Sequence, residues 1–402
     1  MKSTIITVGK EVLTGKTINT NLSDISQNLR KIGIDVLSSF VIDDVYEEFS
    51  RVLDIVNEDI IIFTGGLGPT IDDITKESVC KYYDLELVLY PEVLTTIKEY
   101  FSRANREMNE FNKKQAYFPK DAYVLENNLG TAPGVIFTVN NKTIILFPGP
   151  PHELNPMLDD ALKYLENLSR YKYFSKGFKL TGTGESQMEK SLSDFYDKHP
   201  KVSIAPYASI GEIKYVFTSK NESALESCVS DFYGRYKEFI YGDLDSSLES
   251  SVVELLKDKN IVISTAESCT GGMLASHIVN VSGSSEVFKE GFITYSNEAK
   301  IRYLDLNPAL LEKYGAVSEQ CVYQMAFKLH ERTDADVCVS ISGIAGPSGG
   351  SEVKPVGLVY FGINYKDQTK TYKKIFNGNR YMVRKRATLY ALNMIRKELL
   401  NG

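Results

Sequence analysis

Two stretches of the chain repeat one pattern: a short β-branched run, a turn of small residues, then a helix with one apolar face. In the first, Ser3-Thr4-Ile5-Ile6-Thr7-Val8 passes through a glycine-marked loop to Leu22, Ile25, Leu29 and Ile32 at helical spacing. Ile34 to Val41, Asp59 to Phe63 and Thr143 to Phe147 are further strand-like runs, and Leu154, Leu158, Leu162 and Leu165 mark a closing helix. In the second, Ile261-Val262-Ile263 leads through small residues to a helix carrying Met273, Leu274 and Ile278. Strands that all run one way need a helix to bring the chain back, so this alternation builds mostly parallel sheets covered by helices. The expected class is α/β: two open, mostly parallel sheet domains, residues 1–170 and 246–402, joined by a small α/β connecting domain, residues 171–245. That middle stretch is Tyr-rich, with a hairpin-like run from Ile204 to Thr218 around Gly211. A length of 402 residues agrees with two or three domains.

Composition narrows the partners. With 43% hydrophobic and 24% charged residues the chain is built to fold. A net charge of −6 argues against a broad nucleic-acid surface, which needs clustered Lys and Arg. The five cysteines form no CxxC pair, which removes the usual zinc and disulfide spacings and fits a reducing cytoplasm. The Met1 to Val8 run is too short for a signal peptide or membrane span, so no membrane partner is expected. His152, His199, His277 and His330 show no ligand spacing and read as structural.

Three loops in the last third carry chemistry. Thr265-Ala266-Glu267-Ser268-Cys269-Thr270-Gly271-Gly272 lies between strand and helix, where free backbone N–H groups and the positive helix end favour an anion. Ser268 stands at the turn. A serine needs a base, and no histidine lies in a similar loop. Lys300 does: Thr294-Tyr295-Ser296 ends a strand and Asn297 is the expected cap of a helix whose first turn holds Lys300. The positive helix end and partial burial both disfavour its ammonium form, and Tyr295 is placed to relay or hold a proton. Cys269 is the rival nucleophile, since a thiol at a helix start is acidified. The third loop, Ser342-Gly343-Ile344-Ala345-Gly346-Pro347, has glycines that let backbone approach a ligand, as phosphate cradles require. Arg380 and Arg384 share a helix face, read first as solvated, then as serving a phosphate or subunit contact.

Ala266 to Gly272, Thr294 to Asn297, Gly315-Ala316-Val317-Ser318-Glu319 and Ile341 to Pro347 together resemble the nicotinamide mononucleotide deamidase (PncC) family, across about residues 247 to 402. That resemblance implies hydrolysis of nicotinamide mononucleotide (NMN) to nicotinate mononucleotide and ammonia, a salvage step in pyridine nucleotide cycling. Ser268 is then the nucleophile, completed by Lys300 and Tyr295, with no cofactor. Thr270, Gly271, Gly272, Asn297, Ser342, Gly343 and Gly346 are the expected substrate contacts. Either Thr270 to Gly272 or Gly343 to Gly346 holds the phosphate.

Near the front, Thr64-Gly65-Gly66-Leu67-Gly68-Pro69-Thr70-Ile71-Asp72-Asp73 sets a glycine turn beside two carboxylates at an expected helix start, a pattern suited to phosphate and a divalent ion. The bland alternative is that Asp72 and Asp73 only offset a helix dipole. The stretch resembles the molybdopterin-binding (MoaB/MogA-like) domain at the front of CinA proteins, a likeness extended by Gly15 to Asn21, Gly130 to Gly134 and Phe147 to Pro151. It implies a metal-dependent ADP-ribose pyrophosphatase using Mg, Mn or Co. Gly65, Gly66, Gly68, Thr70 and Asn21 would form the nucleotide site and Asp72 and Asp73 the metal site. Lys10, standing before Glu11 where relatives commonly have a small or acidic residue, departs from the pattern. The family also implies a homo-oligomer, a dimer first. The competing readings are a chain whose main activity is the pyrophosphatase, and a non-catalytic pterin or nucleotide binder.

Overall fold

A computed structural model describes residues 1–168 and 172–401, which divide into two compact units, Met1–Phe174 and Ser175–Gly402. The boundary expected at residue 170 lies outside the described residues. Among those described, no helix is long and apolar enough to cross a membrane. The class is α/β throughout.

In the first unit one sheet has the strand order Asp35–Ile42, Lys2–Val8, Ile60–Thr64, Lys142–Phe147, Gly134–Val139, Tyr123–Leu125. The first four are parallel; the last two complete the edge by antiparallel pairing. The edge turn, Asn140-Asn141, takes φ of 50° and 60°, left-handed values that Asn tolerates and that match strand twist. Because side chains alternate along a strand, Ile60 and Ile62 pack with Ile25, Leu29, Leu154 and Leu158 on one face. Ile61 and Phe63 pack with Phe49, Val52 and Val79 on the other. Both faces are helix-covered, which is why these strands read as unbroken apolar runs.

The second unit holds two sheets. The smaller has the order Ser203–Ser209, Glu212–Ser219, Phe174–Thr181, Ile240–Gly242. Its first two strands are the expected hairpin, turning at Gly211 with φ of 79°. Under the helices Glu185–Lys198 and Glu222–Tyr236 the core is aromatic, with the Phe232 ring centroid 4.8 Å from Phe217, 5.2 Å from Tyr215 and 5.9 Å from Phe195.

The larger sheet has the order Phe288–Ile293, Ile263–Glu267, Val337–Gly343, Leu358–Tyr365, Gln368–Ile375. The first three strands are parallel and the rest antiparallel. The helices Leu248–Asp258, Met273–Val279 and Arg380–Asn401 cover one face, and Asn297–Leu304, Pro308–Tyr314 and Glu319–Thr333 the other. Register pairs Glu267 with both Ile293 and Ile341, so three parallel strands finish side by side and their following loops gather at one edge. One expectation moves: the strand read at Ile261–Ile263 lies at Ile263–Glu267, every residue of it buried. Parallel partners on both sides fix the backbone there, and Ser264 and Thr265 are small enough to sit inside. The long last helix also serves the smaller sheet, where the buried Arg396 guanidinium donates to the carbonyls of Glu238 and Ile240.

Truncating Phe232 to Ala should destabilise the second unit by about 3–5 kcal/mol, the cost of an aromatic-sized core cavity. Urea denaturation followed by tyrosine fluorescence would show an unshifted transition if this aromatic core were dispensable.

Candidate active site

Ser268 follows the buried strand Ile263–Glu267, and its N–H donates to the Ile341 carbonyl at 2.9 Å, tying the turn to the neighbouring strand. Gly271 and Gly272 then adopt φ of 60° and 90°, left-handed values that reverse the chain into Met273–Val279. The neighbouring strand ends at Ile293; Ser296, and not the expected Asn297, caps the next helix by accepting from Ala299 N–H at 3.1 Å. Asn297 is exposed at the first helical position. One turn on, Lys300 points back under the turn.

The Lys300 side chain is 1% exposed, and its Nζ lies 3.1 Å from Ser268 Oγ, 2.8 Å from the Thr294 carbonyl and 3.4 Å from the Tyr295 carbonyl. Burial holds its pKa below the usual 10.5, against the opposing pull of Cys321, Cys269 and Glu298. The structure thus joins the expected nucleophile and base. Tyr295 joins them through its backbone: the carbonyl is 3.5 Å from Ser268 Oγ, while the exposed phenol accepts from Arg380 Nη2 at 3.0 Å. Cys269, the rival, is buried beside the serine, and that burial pushes its thiol up to about 12, the reverse of an acidified helix-start cysteine.

Most donors at the helix start are already taken. Glu267, 1% exposed, takes Gly272 N–H at 3.0 Å, Leu274 N–H at 3.1 Å and Ala275 N–H at 2.8 Å, while Gly271 N–H is spent on the Ser268 carbonyl. Thr270 is buried, with no hydrogen-bond partner for its hydroxyl among the described residues. In the third loop, Ser342 donates to the Ala316 carbonyl at 2.7 Å, and Gly343 is required by close packing, since a Cβ there would meet the Leu358 carbonyl at 2.7 Å. Gly346, at φ of 79°, presents its carbonyl to Arg380 at 2.8 Å. Arg384 donates to the Cys269 carbonyl at 3.1 Å and the Thr270 carbonyl at 2.7 Å. The two arginines therefore bind the loops together, where a solvated face was the first reading. Sequence reasoning did not single out Glu267, although a carboxylate just ahead of a helix is a signal it had.

In the first unit, a cleft of about 400 Å³ is lined by Gly65, Gly66, Gly68, Asp72 and Asp73, together with Glu11 and Asp44. Gly65 and Gly66 leave no room for a side chain against the Val8 carbonyl and the Thr75 hydroxyl. The helix begins at Thr75, so Asp72 and Asp73 precede it instead of sitting in its first turn. Both bind Thr70, with the Asp73 carboxylate 2.6 Å from its hydroxyl. Lys114, absent from the sequence reading, donates to the Thr70 and Asp73 carbonyls and holds this loop. Asn21 is buried and donates to the Gly149 carbonyl at 2.8 Å. Burial and the neighbours Asp73, Asp43, Asp72 and Glu11 raise the Asp44 carboxyl to about 6. Among the described residues no three His, Cys, Asp or Glu side chains form a ready metal cage.

Comparison with known proteins gives the family. The family described as "CinA C-terminal domain" matches residues 245–399, "Damage-inducible protein CinA KH domain" residues 175–236, and "Probable molybdopterin binding domain" residues 4–167. A competence-damage inducible protein of Caldicellulosiruptor saccharolyticus is 42% identical over 410 residues, covering 100% of both chains. The chain belongs to the CinA family. A CinA-like protein of Kosmotoga olearia is 41% identical over 409 residues, covering 100% of this chain and 99% of that one. Among solved structures, a CinA superfamily protein of Klebsiella pneumoniae is 33% identical, with a TM-score of 0.38, covering 39% of this chain and 97% of that one.

Burial keeps Lys300 below 10.5 in the folded chain, whereas the unfolded chain titrates near 10.5, so between the two values the unfolded state binds more protons. Stability should therefore rise with pH across that interval and fall as pH drops through it. The rise should vanish in Lys300→Met. Equal pH slopes for wild type and variant in urea titrations would mean that Lys300 is not buried as an amine.

Proposed function

We propose that the second unit is a serine–lysine amidohydrolase that converts nicotinamide mononucleotide and water to nicotinate mononucleotide and ammonia. One observation carries this reading: the buried Lys300 amine touches Ser268 Oγ at 3.1 Å and two backbone carbonyls. A neutral amine has two N–H donors and one lone pair. The carbonyls of Thr294 and Tyr295 take the donors, which leaves the lone pair for the serine proton.

Ser268 Oγ attacks the carboxamide carbon as its proton passes to Lys300. The ammonium formed returns that proton to the leaving nitrogen, and ammonia departs from a serine ester. Lys300 next takes a proton from water as the water oxygen attacks the ester carbon; the bond from that carbon to Oγ breaks, and the ammonium returns the proton to Oγ, freeing nicotinate mononucleotide and the Ser268 hydroxyl. These steps call for no cofactor. With the Gly271 and Gly272 N–H groups already spent, the Gly343 to Gly346 loop and the exposed Arg380 are the better candidates for the substrate phosphate.

Ammonia release from nicotinamide mononucleotide tests the reading. Ser268→Ala and Lys300→Arg should each lose roughly 1,000-fold or more in kcat, while Cys269→Ala keeps most of its rate. A silent Cys269→Ala beside an active Ser268→Ala would reverse the assignment of the nucleophile. The rate should rise with pH through a lysine pKa lying below 10.5, because the protonated amine cannot accept. A flat profile down to pH values well below neutral would exclude Lys300 as the base.

A second reading concerns the first unit as an ADP-ribose pyrophosphatase, supported by the burial and acidic crowding that together raise Asp44 to about 6 in a glycine-lined cleft. A pyrophosphate would enter such a cleft only with positive charge supplied. Mg²⁺ is commonly held by one or two carboxylates plus substrate phosphates, and Asp72 and Asp73 would be those ligands. Release of AMP from ADP-ribose with Mg, Mn or Co, lost in Asp73→Asn, is the expected result. Tight nucleotide binding with no turnover would favour a binding role instead.

A further inference from the structure

The Glu267 carboxylate takes no part in the steps above, yet it is buried at the residue next to Ser268. Its side chain is 1% exposed and accepts three N–H groups, those of Gly272, Leu274 and Ala275, at 2.8–3.1 Å. These are the donors that a strand–turn–helix unit ordinarily holds out to a bound anion. Here the protein's own anion fills the place. A buried carboxylate is costly unless its oxygens are satisfied, and these N–H groups satisfy it without a cation.

Two consequences follow for the adjoining residues. The turn from Ser268 to Gly272 is stretched between Ile341, which accepts Ser268 N–H, and Glu267, which accepts Gly272 N–H. Among the described residues Ser268 Oγ is anchored by Lys300 and the Tyr295 carbonyl alone, so its position depends on how this backbone is held. The positive helix end that would acidify Cys269 is also opposed by the Glu267 charge two residues back along the chain. Burial and the Glu267 charge both push the Cys269 thiol upward, burial more strongly.

We propose that Glu267 is a positioning residue that occupies the helix start in place of a ligand anion, holds Ser268 at Lys300, and leaves the serine instead of Cys269 as the reactive group. The kinetic half of this inference rests on the amidohydrolase reading; the cysteine half does not. Glutamine at this position keeps the size but supplies an NH₂ where an N–H already points, so one hydrogen bond becomes a clash of donors and the charge is lost.

The full-length chain as Glu267→Gln and Glu267→Asp decides it. Reaction of each cysteine with methyl methanethiosulfonate across a pH series, followed by peptide mass spectrometry, requires no substrate. In Glu267→Gln the midpoint for Cys269 should move down by about one pH unit or more, while Cys80, Cys228, Cys321 and Cys338, all buried, react as slowly as in wild type. In Glu267→Asp, which keeps the charge but falls short of the donors, Cys269 should keep its wild-type midpoint. With nicotinamide mononucleotide, both variants should lose roughly 10- to 100-fold in kcat with little change in KM, the cost of a nucleophile displaced by a fraction of an ångström to an ångström.

An unmoved Cys269 midpoint in folded Glu267→Gln, or wild-type kcat in either variant, overturns the proposal. If the four other cysteines of Glu267→Gln react quickly, that variant is unfolded and Glu267→Asp decides: unchanged Cys269 with lowered kcat supports, and any other pairing overturns. Should the wild type release no ammonia, the amidohydrolase reading fails by itself and the cysteine midpoints still judge Glu267.

Discussion

A lysine amine held out of water is the constraint on which the second unit turns. Lys300 costs the fold something wherever its ammonium is desolvated; burial lowers its pKa, and two carbonyls receive its hydrogens. Both carbonyls belong to the last residues before the helix that carries the lysine, so base and acceptors come from one short stretch of chain. Only the serine arrives from elsewhere. Its delivery needs two parallel strands in register, Glu267 opposite Ile293, and a turn tight enough to place a hydroxyl over the amine.

The same strand–turn–helix unit is put to different ends in the two halves of the chain. In the first unit, Gly65 and Gly66 let the turn lie against the Val8 carbonyl and the Thr75 hydroxyl, and the loop beyond them carries carboxylates into an open cleft. In the second, the glycines reverse the chain so that a carboxylate from the preceding strand plugs the helix start from inside. One leaves the turn facing a ligand-sized space; the other closes it and leaves the buried Ser268 hydroxyl beside it, against Lys300. Fold alone does not distinguish these outcomes, which is why the chemistry has to be argued from particular side chains.

Membership of the CinA family accounts for the order of the segments, and the long helix Arg380–Asn401 gives a physical reason for the last two to fold together. Its first turns send Arg380 and Arg384 to the loops around Ser268. Its last turns bury Arg396 against carbonyls at the end of the smaller sheet. A continuous helix transmits displacement along its axis, so the three loops and the smaller sheet share one rigid support.

Much of this was legible in the residues. Hydrophobic periodicity and glycine placement gave the α/β class, the hairpin around Gly211 and the three loops, because strand and helix spacing are local properties of the chain. The pairing of Ser268 with Lys300 was legible from motif and resemblance, since one follows a strand end and the other lies in the first turn of the helix after the neighbouring strand. Other features were decided only by tertiary structure. The strand through Ser264, Thr265 and Glu267 exists because parallel partners flank it, against its polar composition. The helix cap passed to Ser296, the acidic pair fell ahead of Thr75, and Tyr295 contributed a carbonyl in place of its phenol. Arg384 and Glu267 found partners 115 residues away in one case and five in the other, as their separations along the chain show. Sequence settles what each residue is able to donate, accept or ionise; which of those capacities is used depends on the neighbour that packing supplies, and packing is a property of the whole folded chain.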